Sequence, residues 1–161
     1  MNLFQSKNNF LLFLKSIALP LLVGILASLL TRQSMEAFAA LNQPPLSPPA
    51  IVFPIVWTFL YILMGIGFYL VVTSEGNEED IHKAVIVYGL QLSVNFLWPT
   101  FFFNLQWYLF SFFWLLLLWI LVLIMLVRFA RVSQIAAYIN IPYLIWLTFA
   151  AYLNLGILLL N

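Results

Sequence analysis

Hydrophobic residues in this chain run in long unbroken blocks, and the polar residues fall into a few gaps between them. Such blocks predict helices that cross a bilayer, because about 20 residues rising about 1.5 Å each span the hydrocarbon core, whereas barrel strands would alternate. Phe10 to Leu30 makes one span and Ile51 to Val72 a second. From Ala84 to Val127 there is no charged residue at all. As one helix that run would reach roughly 66 Å, about twice a bilayer core, so it must fold back on itself. The break is predicted at Asn104, Leu105 and Gln106, just past Pro99, giving a third span over 84–103 and a fourth over 108–127. Residues 132–160 supply a fifth. The predicted fold is all-α: a five-transmembrane-helix bundle in a single membrane domain over 1–161, with short connections except for a long proline-rich loop between the first two helices.

Composition supports the membrane reading. With 65% hydrophobic and 7% charged residues, the chain cannot be sorted into a soluble core and a solvated surface. Lys7 and Lys15 precede an apolar stretch as in a signal peptide, but no convincing small-residue cleavage site follows, which predicts a retained first helix. Five of the six Lys and Arg residues (Lys7, Lys15, Lys83, Arg128 and Arg131) fall on the N-terminal side of an odd number of helices, and Arg32 falls on the other. In a bacterial cytoplasmic membrane that bias puts the N-terminus in the cytoplasm and the C-terminus outside. The acidic cluster Glu75, Glu78, Glu79 and Asp80 is read as a solvated cap on the second loop.

Several chemistries are excluded. There is no Cys, and one His with five carboxylates makes a metal site of ordinary ligand spacing improbable. A net charge of +1 without a basic patch argues against nucleic acid. The spans hold no acid–base pair or nucleophile, so hydrolytic chemistry is not expected.

What the spans do hold is aromatic rings interleaved with amides and hydroxyls, which are costly in hydrocarbon unless they find partners or face a cavity. On the second helix Trp57, Tyr61, Met64 and Gly65 share a face. On the third, Gln91 and Asn95 lie one turn apart and are followed by Trp98 and Phe102. On the fifth, Tyr143, Trp146, Ala150, Leu153 and Asn154 form another stripe, with a small residue in its middle. Three such stripes suit a pocket for a large, flat, mostly apolar ligand, in which indoles stack, amides and hydroxyls orient, and Ala150 leaves room. The same residues also suit helix–helix hydrogen bonding and interfacial belts. Trp107 and Tyr108 read as belt residues, and Trp114 and Trp119 as lipid or helix packing.

In the first loop, Pro44, Pro45, Pro48 and Pro49 fix φ and remove backbone donors, so the segment is a stiff strap able to cover the mouth of a bundle, or else a stop and start signal for the flanking helices. Gly89 and Ser93 form a small-xxx-small pair on the third helix, fitted either to a dimer or to internal packing.

The segments PPLSPPAIVFPIVWTFLYILMG, QLSVNFLWPTFFF and IPYLIWLTFAAYLN resemble, in order and spacing, three signature blocks of the translocator protein family, also called tryptophan-rich sensory protein or TspO/MBR. The resemblance covers the second, third and fifth helices closely, and the first and fourth by hydropathy only. It implies a bundle, commonly a homodimer, that binds porphyrins and other tetrapyrroles and, in some relatives, cholesterol and benzodiazepine-type ligands. No cofactor is required, and a tetrapyrrole of the protoporphyrin IX kind is the implied ligand. The family's pocket Trp and Tyr on the second helix fall on Trp57 and Tyr61, its third-helix Asn and Trp on Asn95 and Trp98, and its fifth-helix Trp, Ala and Asn on Trp146, Ala150 and Asn154. Many relatives carry Trp where this chain has Phe38, Ile51 and Phe96. No basic residue follows Arg131, so the sterol-recognition pattern at the end of the fifth helix is absent.

Two functional classes follow. In one, a tetrapyrrole enters beneath the strap, stacks on Trp57 and Trp146, is oriented by Asn95 and Tyr61, and is carried, buffered or sensed. In the other, Trp57 and Trp146 are redox-active neighbours in a light-dependent oxidative breakdown of the bound porphyrin, as proposed for some relatives.

Overall fold

The computed structural model describes residues 3–34 and 38–161. Among them are five helices long and apolar enough to cross a membrane: α1 (Leu3–Thr31), α2 (Val52–Val72), α3 (Glu78–Pro99), α4 (Tyr108–Val132) and α5 (Gln134–Leu160). A short 3-10 turn, Arg32–Ser34, follows α1, and a π-helical turn, Thr100–Asn104, follows α3. In cross-section the helices form a ring in the order α1, α2, α5, α4, α3, with α3 returning to α1. The family of charged loops sits at one end and the proline strap at the other.

The ends of the helices follow from their caps. The start of α3 is Glu78, six residues before the uncharged run begins, because the Asn77 side chain accepts from the Glu79 and Asp80 backbone N–H groups. The carboxylates of Glu78, Glu79 and Asp80 then lie in the first turn, where they complement the positive end of the helix dipole. This corrects the loop reading of that cluster: three of its four acids are helical, and Lys83 pairs with Glu79 one turn on. Ser133 caps α5 in the same way through the Ala136 N–H. The extension of α4 to Val132 carries Arg128 and Arg131 on its last turns.

The hairpin between α3 and α4 falls where the polar residues predicted it. Pro99 cannot donate to the Asn95 carbonyl, and the helix widens into the π turn, closed by a hydrogen bond from Leu105 N to Thr100 O (3.0 Å). Gln106 then takes a positive φ of 54° and the chain reverses. The indole of Trp114 donates to the Val94 carbonyl (2.9 Å) and that of Trp119 to the Thr148 hydroxyl (2.9 Å), so both tie helices together, while Trp107 is exposed at the hairpin.

Away from the strap the bundle is closed. A Cβ on Gly65 of α2 would fall 2.5 Å from the Ile17 Cα and 2.7 Å from the Ser16 carbonyl oxygen, so α1 and α2 touch backbone to backbone there. Pro20 leaves that Ser16 carbonyl without its usual donor, and Gly65 lies against it. Beside this crossing, Tyr88 stacks between Phe68 and Phe129, with centroid distances of 4.5 and 6.1 Å.

Candidate functional site: a cavity beneath the proline strap

Toward the strap the same helices part around a cavity of about 510 Å³, within the usual range for small-molecule pockets. One wall is α1, from Leu21 to Thr31, with Arg32 just past its end, and the adjoining wall is α2, with Phe53, Pro54, Trp57, Thr58 and Tyr61. Helix α3 and the π turn contribute Asn95, Trp98, Pro99, Phe102 and Phe103. Helix α5 adds Trp146, Ala150, Leu153, Asn154 and Ile157, and α4 adds Leu118. Three aromatic stripes read from sequence therefore converge on one space. Trp98 stacks on Phe102 one turn later (5.1 Å), Trp57 leans on Tyr61 (5.6 Å), and Phe53 meets Trp146 edge-on (6.0 Å).

The floor is a directional chain of hydrogen bonds. The Tyr61 hydroxyl donates to Asn95 Oδ1 (2.8 Å), Asn95 Nδ2 donates to the Tyr143 hydroxyl (2.7 Å), and that hydroxyl donates to Gln91 Oε1 (3.0 Å). Gln91 Nε2 ends the chain against the Met64 sulfur (3.9 Å). Each member thus has a partner, which makes the buried amides tolerable in this setting. Tyr61 in turn lies directly over Gly24 of α1, where any larger residue would meet its ring.

The walls differ from the floor in their polar bookkeeping. The indole nitrogens of Trp98 and Trp146 are buried and find no acceptor among the described residues. A buried N–H without a partner costs about 1–3 kcal/mol, and neither nitrogen is open to the cavity. Asn154, by contrast, is already engaged: it donates through Nδ2 to the Ser111 hydroxyl of α4 (3.0 Å).

The strap is fastened to α5. Its tip is a tight turn closed from Ser47 N to Pro44 O (3.2 Å), with Leu46 at φ 68°, a conformation that Gly or Asn would adopt more easily. Pro44 packs on Gly156, the Tyr152 hydroxyl donates to the Pro45 carbonyl (2.7 Å), and Asn42 exchanges hydrogen bonds with Asn161 and Leu160. Pro49 offers its carbonyl to Val52 N at the start of α2 (2.9 Å).

One pair of candidate residues is placed differently from the sequence reading. Gln91 and Tyr143 share their stripes with the lining residues but do not line the cavity; they lie fully buried below it, holding Asn95. The prolines Pro44, Pro45, Pro48 and Pro49 do not line it either, because they shape and fasten the strap, and its lining residues are Phe38, Gln43 and Ala50. Gly89 and Ser93 are on the outer face of α3, far from internal packing: a Cβ on Gly89 would meet nothing within 4 Å. Sequence reasoning missed Ser111 and the whole α1 wall. The one signal available there was Gly24, the lone glycine of the helix, set among mostly aliphatic residues in its second half.

Fold and cavity together define an integral membrane protein with a ligand-sized chamber inside its helix bundle. Residues 16–160 match the model of the TspO/MBR family, and the chain belongs to that family. It is 36% identical over 146 residues to the tryptophan-rich protein TspO of Chlorobaculum tepidum, covering 90% of this chain and 92% of that one. It is 32% identical to the tryptophan-rich sensory protein of Cereibacter sphaeroides over 152 residues, 94% of this chain and 90% of the relative. The human translocator protein is 36% identical over 134 residues, 76% of this chain and 73% of the relative.

Proposed function

We propose that this protein is a membrane receptor that binds tetrapyrroles, such as porphyrins and haem precursors, in the cavity beneath the strap, with a role in their transport, sensing or regulation. Family membership supports the receptor or sensor role. The observation that carries the ligand class is the convergence of Trp57, Trp98 and Trp146 on one cavity of about 510 Å³ above a hydrogen-bonded floor. A flat ring system stacks on the faces of these indoles. The N-terminus faces the cytoplasm and the C-terminus the outside of a bacterial cytoplasmic membrane, in keeping with the distribution of Lys and Arg. The open face at Gly89 and Ser93 serves a second copy in a homodimer. Titrating the purified protein with protoporphyrin IX tests the ligand class: saturable quenching of intrinsic tryptophan fluorescence with a shifted Soret band is expected. No quenching beyond that in detergent alone overturns it.

A second reading is favoured by the fact that Trp57 and Trp146 line the same cavity, so a macrocycle held there touches both indoles. In that reading light excites the bound porphyrin, which takes one electron from an indole and passes it to dioxygen as superoxide; the indole radical cation then recovers an electron from the ring, and superoxide adds to the oxidised ring and opens it. Trp57→Phe and Trp146→Phe would each abolish light-driven loss of the Soret band while leaving part of the binding. Decay no faster than in detergent alone leaves the binding reading by itself.

A further inference from the structure

The lining of the cavity is mostly apolar and aromatic, and it is uncharged with one exception. Among the described residues that line it, Arg32 carries the only charge. It sits in the 3-10 turn just past α1, at the exposed rim of the cavity rather than in its depth. Four of the uncharged polar side chains in the lining are committed within the protein. Thr58 donates to the Pro54 carbonyl, Thr31 to the Ala27 carbonyl, Gln43 to the Phe38 carbonyl, and Asn154 to Ser111. The ion pair found among the described residues, Lys83 with Glu79, is at the opposite end of the bundle.

Arg32 is also held in place, and by a single side chain. Asn104, the last residue of the π turn, donates through Nδ2 to the Leu30 carbonyl (3.0 Å) and accepts through Oδ1 from the Ser34 hydroxyl (2.6 Å). The residues two before and two after Arg32 are thus bound to the same amide. The backbone that carries the guanidinium is pinned between α1 and the α3–α4 hairpin, with no large rearrangement needed to present it to the mouth. Guanidinium is a planar fork of donors matched to carboxylate and phosphate oxygens.

We infer that Arg32 is a specificity-determining residue that binds an anionic group, a carboxylate, of the ligand whose flat apolar body occupies the cavity. The inference rests on the tetrapyrrole reading above and narrows it: the ring lies inward among Trp57, Trp98 and Trp146, and an acidic side chain of the ring is left at the rim. The protein thereby selects amphiphilic, carboxylate-bearing flat molecules over neutral ones of the same shape. The same fork would also hold a lipid phosphate, and the two sources separate experimentally.

The test compares protoporphyrin IX with its neutral dimethyl ester, by tryptophan quenching in nanodiscs of phosphatidylcholine and of phosphatidylglycerol. The unaltered protein should bind the free acid about fivefold more tightly than the ester, a gain on the scale of one partly exposed ion pair. Arg32→Gln should erase that preference without changing ester affinity, and Arg32→Lys should keep part of it. Equal affinity for acid and ester overturns the inference while leaving the tetrapyrrole reading intact. A preference that Arg32→Gln leaves unchanged overturns it too, and one that is present in phosphatidylcholine but lost in phosphatidylglycerol assigns the arginine to anionic lipid. Quenching by neither compound overturns both readings at once.

Discussion

The two halves of this bundle are built from the same five helices and behave oppositely. At the end away from the strap, α1 and α2 meet backbone to backbone at Gly65, and Tyr88 fills the interior between Phe68 and Phe129. At the strap end, only a few turns further along, α1 and α2 line a chamber. The difference lies in what stands between the helices: a glycine in one half, and in the other the bulky side chains of Trp57 and Tyr61, the latter spread over Gly24. Between the halves runs the layer Tyr61, Asn95, Tyr143 and Gln91. Between α1 and α2, a glycine lets the backbones touch in one half, and ring side chains keep them apart in the other.

Four substitutions break or sharpen that contrast, in order of expected effect. Gly65→Leu forces a side chain into the Ile17 and Ser16 backbone, which cannot move aside as a flexible side chain would, and should destabilise the fold by about 3 kcal/mol. A thermal melt in detergent that matches the parent would refute the close crossing. Tyr143→Phe strips Asn95 Nδ2 and Gln91 Oε1 of a shared partner and should cost about 1–2 kcal/mol of stability by the same assay, with a looser Asn95 as its consequence for ligand binding. Tyr152→Phe removes the hydroxyl that fastens the Pro45 carbonyl and should speed ligand release about fivefold with the melt nearly unchanged, as read by stopped-flow recovery of tryptophan fluorescence. An unaltered release rate would mean that the strap does not govern exit. Gly89→Leu, on the outer face, should leave stability and ligand affinity within error and weaken a dimer in crosslinking. A dimer unaffected by it lies on another face.

Much of this was legible in the sequence, for physical reasons. The spans announce themselves because a bilayer demands long apolar runs, and the hairpin because Asn104 and Gln106 are polar residues that interrupt one. The start of α3 was hidden because charged residues look like loop by hydropathy, whereas Asn77 and three acids in a first turn are a helix start. The aromatic stripes were visible by periodicity. Periodicity gives a face of a helix and not its depth, so Gln91 and Tyr143 could not be told from Asn95 and Trp146 until the helices were set against each other. Apart from Gly24, the α1 wall left no trace, since its lining residues, such as Leu21, Ile25 and Leu29, look like any lipid-facing aliphatic. Arg32 was counted only as a vote on topology.

The hydrogen-bonded floor has a consequence for the thermodynamics of binding. Asn95 is gripped on both ends of its amide, by Tyr61 and by Tyr143, so neither its rotamer nor its amide orientation is free to vary before a ligand arrives. Ordering a side chain at an interface ordinarily costs about 0.5–1.5 kcal/mol in lost freedom. Here that loss was incurred when the chain folded. A ligand landing on this floor meets a surface already in its final arrangement, and the entropy change of binding is left to the strap and to the ligand itself.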